Sequence, residues 1–218
     1  MRIAVAIDGP AGAGKSTIAK LIGEKFNLMY IDTGAMYRAV ALMAKRNGIS
    51  EKEVEKLSSL VKSLNMKFIN NKLFVNGEDV SKKIREVKIS NIVSLYATVS
   101  EVRSLLVSLQ QSMSQKYNVI MDGRDIGTVV LIDAPFKFYL VASPEVRARR
   151  RFNELKNKDI EVSYESILKD IKKRDYIDST REVTPLRKAE DAIEINTSNL
   201  TIEEVVNEIS NHIYKKVN

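Results

Sequence analysis

Ile3-Ala4-Val5-Ala6-Ile7-Asp8-Gly9-Pro10-Ala11-Gly12-Ala13-Gly14-Lys15-Ser16-Thr17 is the stretch on which the fold turns. Ile3 to Ile7 is a short apolar run of the kind that makes a buried strand, and Ile18, Leu21, Ile22 and Phe26 follow the loop at helical spacing. Between them Gly9 to Ser16 spells G-x-x-x-x-G-K-S. Strand, glycine loop and helix in that order are the context in which this spacing forms a phosphate-binding loop rather than an ordinary glycine-rich turn. Gly9, Gly12 and Gly14 let backbone N–H groups turn inward around a polyphosphate, and the helix starting near Lys15 adds its unpaired N–H groups and its dipole. Lys15 supplies a mobile charge, and the Ser16 hydroxyl suits a magnesium ion that bridges phosphates. The candidate triphosphate site is therefore Gly9, Pro10, Ala11, Gly12, Ala13, Gly14, Lys15, Ser16 and Thr17.

Outward from this loop, strands and helices alternate. Met29 to Ile31 reads as a strand broken by Asp32-Thr33-Gly34, and Met36, Ala39, Val40 and Met43 continue as a helix to Asn47-Gly48. Ser50 and Glu53 have capping-box spacing ahead of a helix with Val54, Leu57, Val61 and Leu64 on one stripe. Lys67–Ile69, Lys72–Val75 and Glu78–Val80 are short strand-like pieces separated by Asn70-Asn71 and Asn76-Gly77, a hairpin signature. They form a small antiparallel insertion. Ser81 to Asn91 carries only a weak pattern, whereas Ser100 to Gln115 is a clear helix with Val102, Leu105, Leu106, Leu109 and Met113 on one face.

Val119-Ile120-Met121 is a second strong strand. It ends at Asp122, the Walker B arrangement, which places a carboxylate beside Ser16 as a candidate second magnesium ligand. Phe136–Val141 and Ala192–Ile195 are further strands. Ser143-Pro144 caps the helix between them, and Thr201 with Glu204 caps a closing helix that turns Ile202, Val205, Val206, Ile209 and Ile213 inward. The expected fold class is α/β: a P-loop NTPase-type parallel sheet with helices on both faces, in one domain of 218 residues. Ligands of such a sheet lie at the carboxyl ends of its strands, where Asp8, Asp32, Asp122 and Ser143 fall.

Composition narrows the function classes. With 44% apolar residues the chain can build a real core, and with no cysteine it has no disulfide, zinc-thiolate site or thiol nucleophile. The single histidine, His212, lies in the last helical pattern and reads as a surface residue. No apolar stretch approaches the roughly 20 residues needed to span a bilayer, and the N-terminus does not read as a signal segment, so a soluble, cytoplasmic protein is expected. The net charge of +7 suits anionic partners. Lysines spread over polar helix faces, while arginines gather at loops; no basic stretch interleaved with stacking aromatics points to nucleic acid.

Three arginine groups mark an acceptor side. Arg38 with Tyr37, Arg103, and Arg124 beside Asp125 all fall near one sheet edge, although each alone reads equally well as a solvated charge. On the helix after Pro144, Arg147, Arg149, Arg150 and Arg151 form the second set; positions 147, 150 and 151 share a face, so at least two guanidinium groups are expected to point together, with an anion or carboxylates between them. Arg174, Asp175, Asp178 and Arg181 form the third set, whose arginines could swing over a transferring phosphoryl group. Lys15, Asp122, Arg174 and Arg181 are the candidate catalytic residues. An inventory without a histidine or thiol suits phosphoryl transfer to an acceptor that is itself a phosphate, where catalysis is positioning and charge neutralisation.

The sequence resembles the bacterial cytidylate kinases, nucleoside monophosphate kinases, nearly end to end. The resemblance rests on Ile7 to Thr17, Tyr30 to Arg38, Met121 to Val130, Arg174-Asp175, Asp178 to Arg181 and Pro185-Leu186. It implies transfer of the γ-phosphate of ATP to CMP or dCMP with magnesium, by a monomer. It also implies that Thr33, Tyr37 and Arg38 contact the acceptor nucleotide, and that Ser94, Arg103, Arg124 and Asp125 read the cytosine and hold the monophosphate. Arg174 and Asp178 would approach the sugar, and Arg181 the phosphates. An acceptor-binding insertion is implied at about 35–100, with hairpins at about 66–82, and a short lid at about 150–163. Arg124 and Asp125, taken as a donor and acceptor pair, could match the N3, O2 and N4 edge of cytosine and mismatch uracil. A kinase for UMP or another small acceptor, and a nucleotide-dependent switch ATPase, remain the alternative readings.

Overall fold

The computed structural model describes residues 3–157 and 159–217. In chain order the elements are β1 (Ala4–Asp8), α1 (Lys15–Lys25), β2 (Met29–Asp32), α2 (Thr33–Arg46), α3 (Val54–Ser63), β3 (Met66–Ile69), β4 (Lys72–Val75), β5 (Glu78–Asp79), α4 (Val87–Ser90), α5 (Val93–Ala97), α6 (Ser100–Lys116), β6 (Val119–Gly123), β7 (Phe136–Val141), α7 (Pro144–Lys156), α8 (Tyr164–Thr180), β8 (Ile193–Asn196) and α9 (Ile202–Val217). Five strands pair in the order β2-β6-β1-β7-β8, every pairing parallel. β3, β4 and β5 form the separate antiparallel sheet that the Asn-Asn and Asn-Gly turns foretell.

Side chains alternate across the parallel sheet, as the period of two requires. Ala6, Ile31, Val119 and Met121 face a core shared with α2, α3, α5 and α6. Val5, Ile7, Tyr30, Ile120, Phe138 and Leu140 face the opposite core, closed by α1 and α9. Burying an Ile or Phe side chain stabilises by about 1.5–3 kcal/mol, so the two layers hold the strand ends rigidly in one plane. α7 and α8 pack on each other through a small third cluster, Ala148, Ile167 and Ile171, flanked by Phe152, Leu155, Tyr164 and Leu168.

Several sequence expectations are corrected. Ser50 does not cap a helix: its carbonyl closes a turn onto the Glu53 N–H at 3.2 Å, so α3 starts later, at Val54. Only half of the capping box forms, the Glu53 carboxylate accepting from Ser50 N–H at 2.9 Å. Ile202, the first residue of α9, is 54% exposed, one turn outside the buried stripe Val205, Ile209 and Ile213. His212 is half-buried, not a surface residue, because α9 lays its ring 6.1 Å from that of Phe138. The weak stretch 81–91 winds into a short 3-10 turn at Lys83–Arg85 and then α4. After β6 the chain makes a wide turn over Ile126–Val130, in which the Leu131 N–H donates to the Ile126 carbonyl five residues back at 2.7 Å. Thr201 and Glu204 do form the expected box on α9, and Ser143 caps α7.

Candidate active site

β1 delivers the phosphate loop to the carboxyl edge of the sheet. At Gly9, φ is +142° and an added Cβ would stand 2.1 Å from the Leu140 carbonyl oxygen of β7, so only glycine lets the loop leave the strand there. Gly14, with φ +89°, turns the chain into α1. Lys15 is buried under the loop, its Nζ donating to the Pro10 carbonyl at 2.7 Å. Burial, with Arg124 close by, pushes its ammonium down to about 7 against the pull of Asp122, Asp8 and Asp178. A polyphosphate supplies the negative charge that this lysine lacks.

Ser16 and Asp122 meet as the motif requires: the Ser16 hydroxyl donates to Asp122 Oδ2 at 2.8 Å. The other carboxylate oxygen accepts from the Tyr30 hydroxyl at 2.7 Å. Burial first, and Asp32 second, raise the Asp122 carboxyl above its ordinary range, although Lys15, Tyr30 and Ser16 pull it down. An excess of buried negative charge beside a hydroxyl fits magnesium, which takes one or two protein oxygens and completes its shell with phosphate oxygens and water. Among the described residues no group of three metal-ligating side chains occurs, so the nucleotide would have to supply much of that shell.

The acceptor side is assembled from α2, α6, the loop after β6, and α8. Asp32 Oδ1 caps α2 by accepting from Ala35 N–H at 2.8 Å and lies 4.0 Å from Arg38, while Oδ2 takes Arg85 at 2.9 Å. The buried Thr33 hydroxyl donates to the Asp122 carbonyl at 2.7 Å. Arg103 is buried on α6, bonded to Asp125, with its guanidinium 5.4 Å from the centre of the Tyr37 ring. Arg181 approaches the same Asp125 at 3.5 Å. Arg124 Nε donates to Asp178 at 2.7 Å. Arg174, on the same helix as the paired Asp175 and Asp178, itself forms no ion pair among the described residues.

These charges strain one another. Burial, then the nearby Arg124, pushes Arg174 down to about 10, and Arg38 adds to that. Arg38 is itself lowered by burial, opposed by Asp32 and reinforced by Arg85 and Arg124. Burial opposes ionisation of Asp178, yet Arg124, Arg174 and Arg181 hold it below the usual carboxylate range. Arg124 thus has Asp178 as its ion-pair partner, while Arg174 is left with none among the described residues.

Not every sequence expectation survives. Arg124 and Asp125 take separate protein partners: Arg124 turns to Asp178, and Asp125 to Arg103 and Arg181. The α7 arginines do not point together, because successive positions diverge around the helix. Arg147 is buried, clamped on both oxygens of Asp175 and on the Ala11 carbonyl; Arg150 holds Thr197; Arg149 lies over the Tyr164 ring; Arg151 pairs with Glu154. Ser94 stands half-buried on α5, and its hydroxyl makes no hydrogen bond among the described residues. Three residues of the site were given no role by the sequence. Tyr30 reads as a strand aromatic and Arg85 as a charge in a weakly patterned segment. Asp8 is known only as a strand end, yet its carboxylate accepts the N–H groups of Ile126 and Gly127 at 2.8 and 2.7 Å, tying the phosphate loop's strand to the acceptor loop. Burial raises that carboxyl to about 6.

A five-stranded parallel sheet with a phosphate loop on its first strand and a serine–aspartate pair at its edge defines a P-loop kinase. The shikimate kinase of Bacteroides thetaiotaomicron shares this fold, with a TM-score of 0.51 at 14% identity over 98% of this chain and 99% of that one. The family model "Cytidylate kinase" matches residues 5–215, and the chain belongs to that family. Curated relatives agree: the cytidylate kinase of Clostridium acetobutylicum is 63% identical over 217 residues, covering all of both chains. That of Clostridium tetani is 61% identical over 210 residues, covering 96% of this chain and 93% of its own. The protein is accordingly an ATP-dependent kinase of the nucleoside monophosphate class.

Proposed function

We propose that the protein transfers the γ-phosphoryl group of ATP to CMP or dCMP, giving ADP and CDP or dCDP. The observation that carries this reading is the crowding of Arg38, Arg124 and Arg174 on one another, with Arg38 and Arg174 lowered by burial and by the neighbouring guanidinium groups. Such a group is relieved by a dianion on the acceptor side, in addition to the triphosphate on Gly9 to Thr17. A phosphate acceptor also removes the need for a general base, since its oxygen is already an anionic nucleophile.

In this reading the acceptor phosphate oxygen bonds to the γ-phosphorus as the bond from that phosphorus to the β,γ-bridging oxygen breaks, and the electron pair leaves on ADP. Lys15, Arg174 and Arg181 neutralise charge that builds on the transferred group. Ser16 and Asp122 would hold magnesium, which would neutralise charge on the phosphates. Thr33, Tyr37 and Arg38 position the acceptor, Arg124 its phosphate, and Asp178 with Arg174 its sugar. The base edge falls to Asp125, Arg103 and Ser94; Arg103 Nε, buried and without an acceptor among the described residues, is a donor still to be used. Residues of about 35–100 serve as the acceptor-binding region and about 150–163 as the lid, which spans the end of α7 and the turn to Ser163, including residue 158 outside the described set. The protein acts as a cytoplasmic monomer. No single helix among the described residues is long and apolar enough to cross a membrane.

A coupled assay of ADP release over CMP, dCMP, UMP, AMP and GMP tests the proposal. CMP or dCMP should give the highest kcat/KM, with little ATP turnover until one of them is added. A higher value with UMP would replace the proposed acceptor, and acceptor-independent ATP hydrolysis would favour a switch.

A further inference from the structure

Asp122 has two oxygens in a buried site, and only one of them is directed at Ser16. The other accepts the Tyr30 hydroxyl at 2.7 Å. Tyr30 comes from β2, which pairs directly with β6 in register Tyr30↔Ile120 and Asp32↔Asp122, so the ring and the carboxylate ride on neighbouring strands of the sheet. The ring is 4% exposed and packed in the core between α1 and the sheet, which leaves the hydroxyl little freedom to look elsewhere. Lys20 Nζ lies 6.0 Å from the ring centre on the solvent side.

We infer that Tyr30 is a positioning residue for the metal site: by occupying Asp122 Oδ1 it holds the carboxylate so that Oδ2 alone is presented, beside the Ser16 hydroxyl, to the magnesium of the nucleotide. A carboxylate free to rotate would present either oxygen or both, and a bidentate grip distorts the near-octahedral shell that magnesium demands. Hydrogen bonds to the unused atom of a metal ligand are the general way proteins fix ligand orientation, and their loss lowers metal affinity by about 10- to 100-fold. The inference rests on the reading that Ser16 and Asp122 hold magnesium.

The test is the binding of a fluorescent N-methylanthraniloyl ADP to the full chain, in EDTA and in saturating magnesium. The ratio of the two dissociation constants measures the grip on the metal without turnover. Asp122→Asn should abolish most of that ratio. Tyr30→Phe keeps the ring and removes only the hydroxyl; it should lower the ratio by about tenfold while leaving the EDTA affinity within about twofold. Tyr30→Leu, which also loses the ring, should lose the same metal coupling and, separately, thermal stability. An unchanged ratio in Tyr30→Phe with a lowered one in Tyr30→Leu would assign Tyr30 to packing alone and overturn the inference. An unchanged ratio in Asp122→Asn would overturn the magnesium reading itself, and the inference with it.

Discussion

The two halves of the site are built on different principles. The donor loop is nine consecutive residues, Gly9 to Thr17, whose ligands are mostly backbone N–H groups set by one strand, one turn and one helix end. The acceptor side draws Asp32, Arg38, Arg85, Arg103, Arg124, Asp125, Arg174, Asp178 and Arg181 from five segments separated by up to about 150 positions of sequence, and the ion pairs that join them run between side chains. A backbone cradle is pre-formed and does not change when the site is empty. A side-chain cluster must hold its own charges apart until the ligand comes, and it does so by lending each arginine to an aspartate, with Arg174 left over. The donor half is therefore a rigid template, and the acceptor half an electrostatic balance completed by substrate.

That contrast can be broken in three places. The largest effect is expected at Lys15, the one side chain of the donor loop that meets the transferred group. Lys15→Ala should lower kcat by about a thousandfold with the fold intact, since its charge matters most in the transition state. A kcat within tenfold of wild type would place the transferred group elsewhere. Next comes Asp8, which joins the two halves. Its carboxyl is raised from 3.8 to about 6 by burial, so the folded state favours the protonated form. The penalty is absent below the unfolded value, grows as pH rises, and is complete above about 6, where it reaches about 3 kcal/mol. Wild type should therefore lose about that much stability relative to Asp8→Asn between pH 3.8 and 6, by denaturant unfolding across the range. A constant difference would mean that Asp8 does not titrate there. The smallest effect is on the acceptor side: Arg38→Ala should raise the CMP Michaelis constant about tenfold with little change in kcat, the loss of one charge-assisted hydrogen bond. An unchanged constant removes Arg38 from the phosphate site.

Legibility followed the same divide. The strand, loop and helix around Gly9 to Thr17, the meeting of Ser16 with Asp122, and the antiparallel insertion were readable because each follows from local patterns of apolar spacing and turn residues. The α7 arginines were misread because helical spacing says which positions neighbour one another, not where a long guanidinium finds its partner; Arg147 found Asp175, on a different helix. The protein partners of Arg124 and Asp125 were not legible either, since Asp178, Arg103 and Arg181 come from distant segments of sequence. Tyr30 and Asp8 were invisible because a tyrosine and an aspartate in or after a strand are ordinary.

By itself the sequence determined the parallel sheet, the phosphate loop and the residue types available for chemistry, since these follow from periodicity and from conformations only certain residues adopt. Which carboxylate answers which arginine was decided only by the tertiary structure. Those pairings depend on strand register and helix packing, which bring residues 8, 30, 32, 122, 125 and 178 to one sheet edge. Charge pairing acts over a few ångströms of space, whatever the distance along the chain.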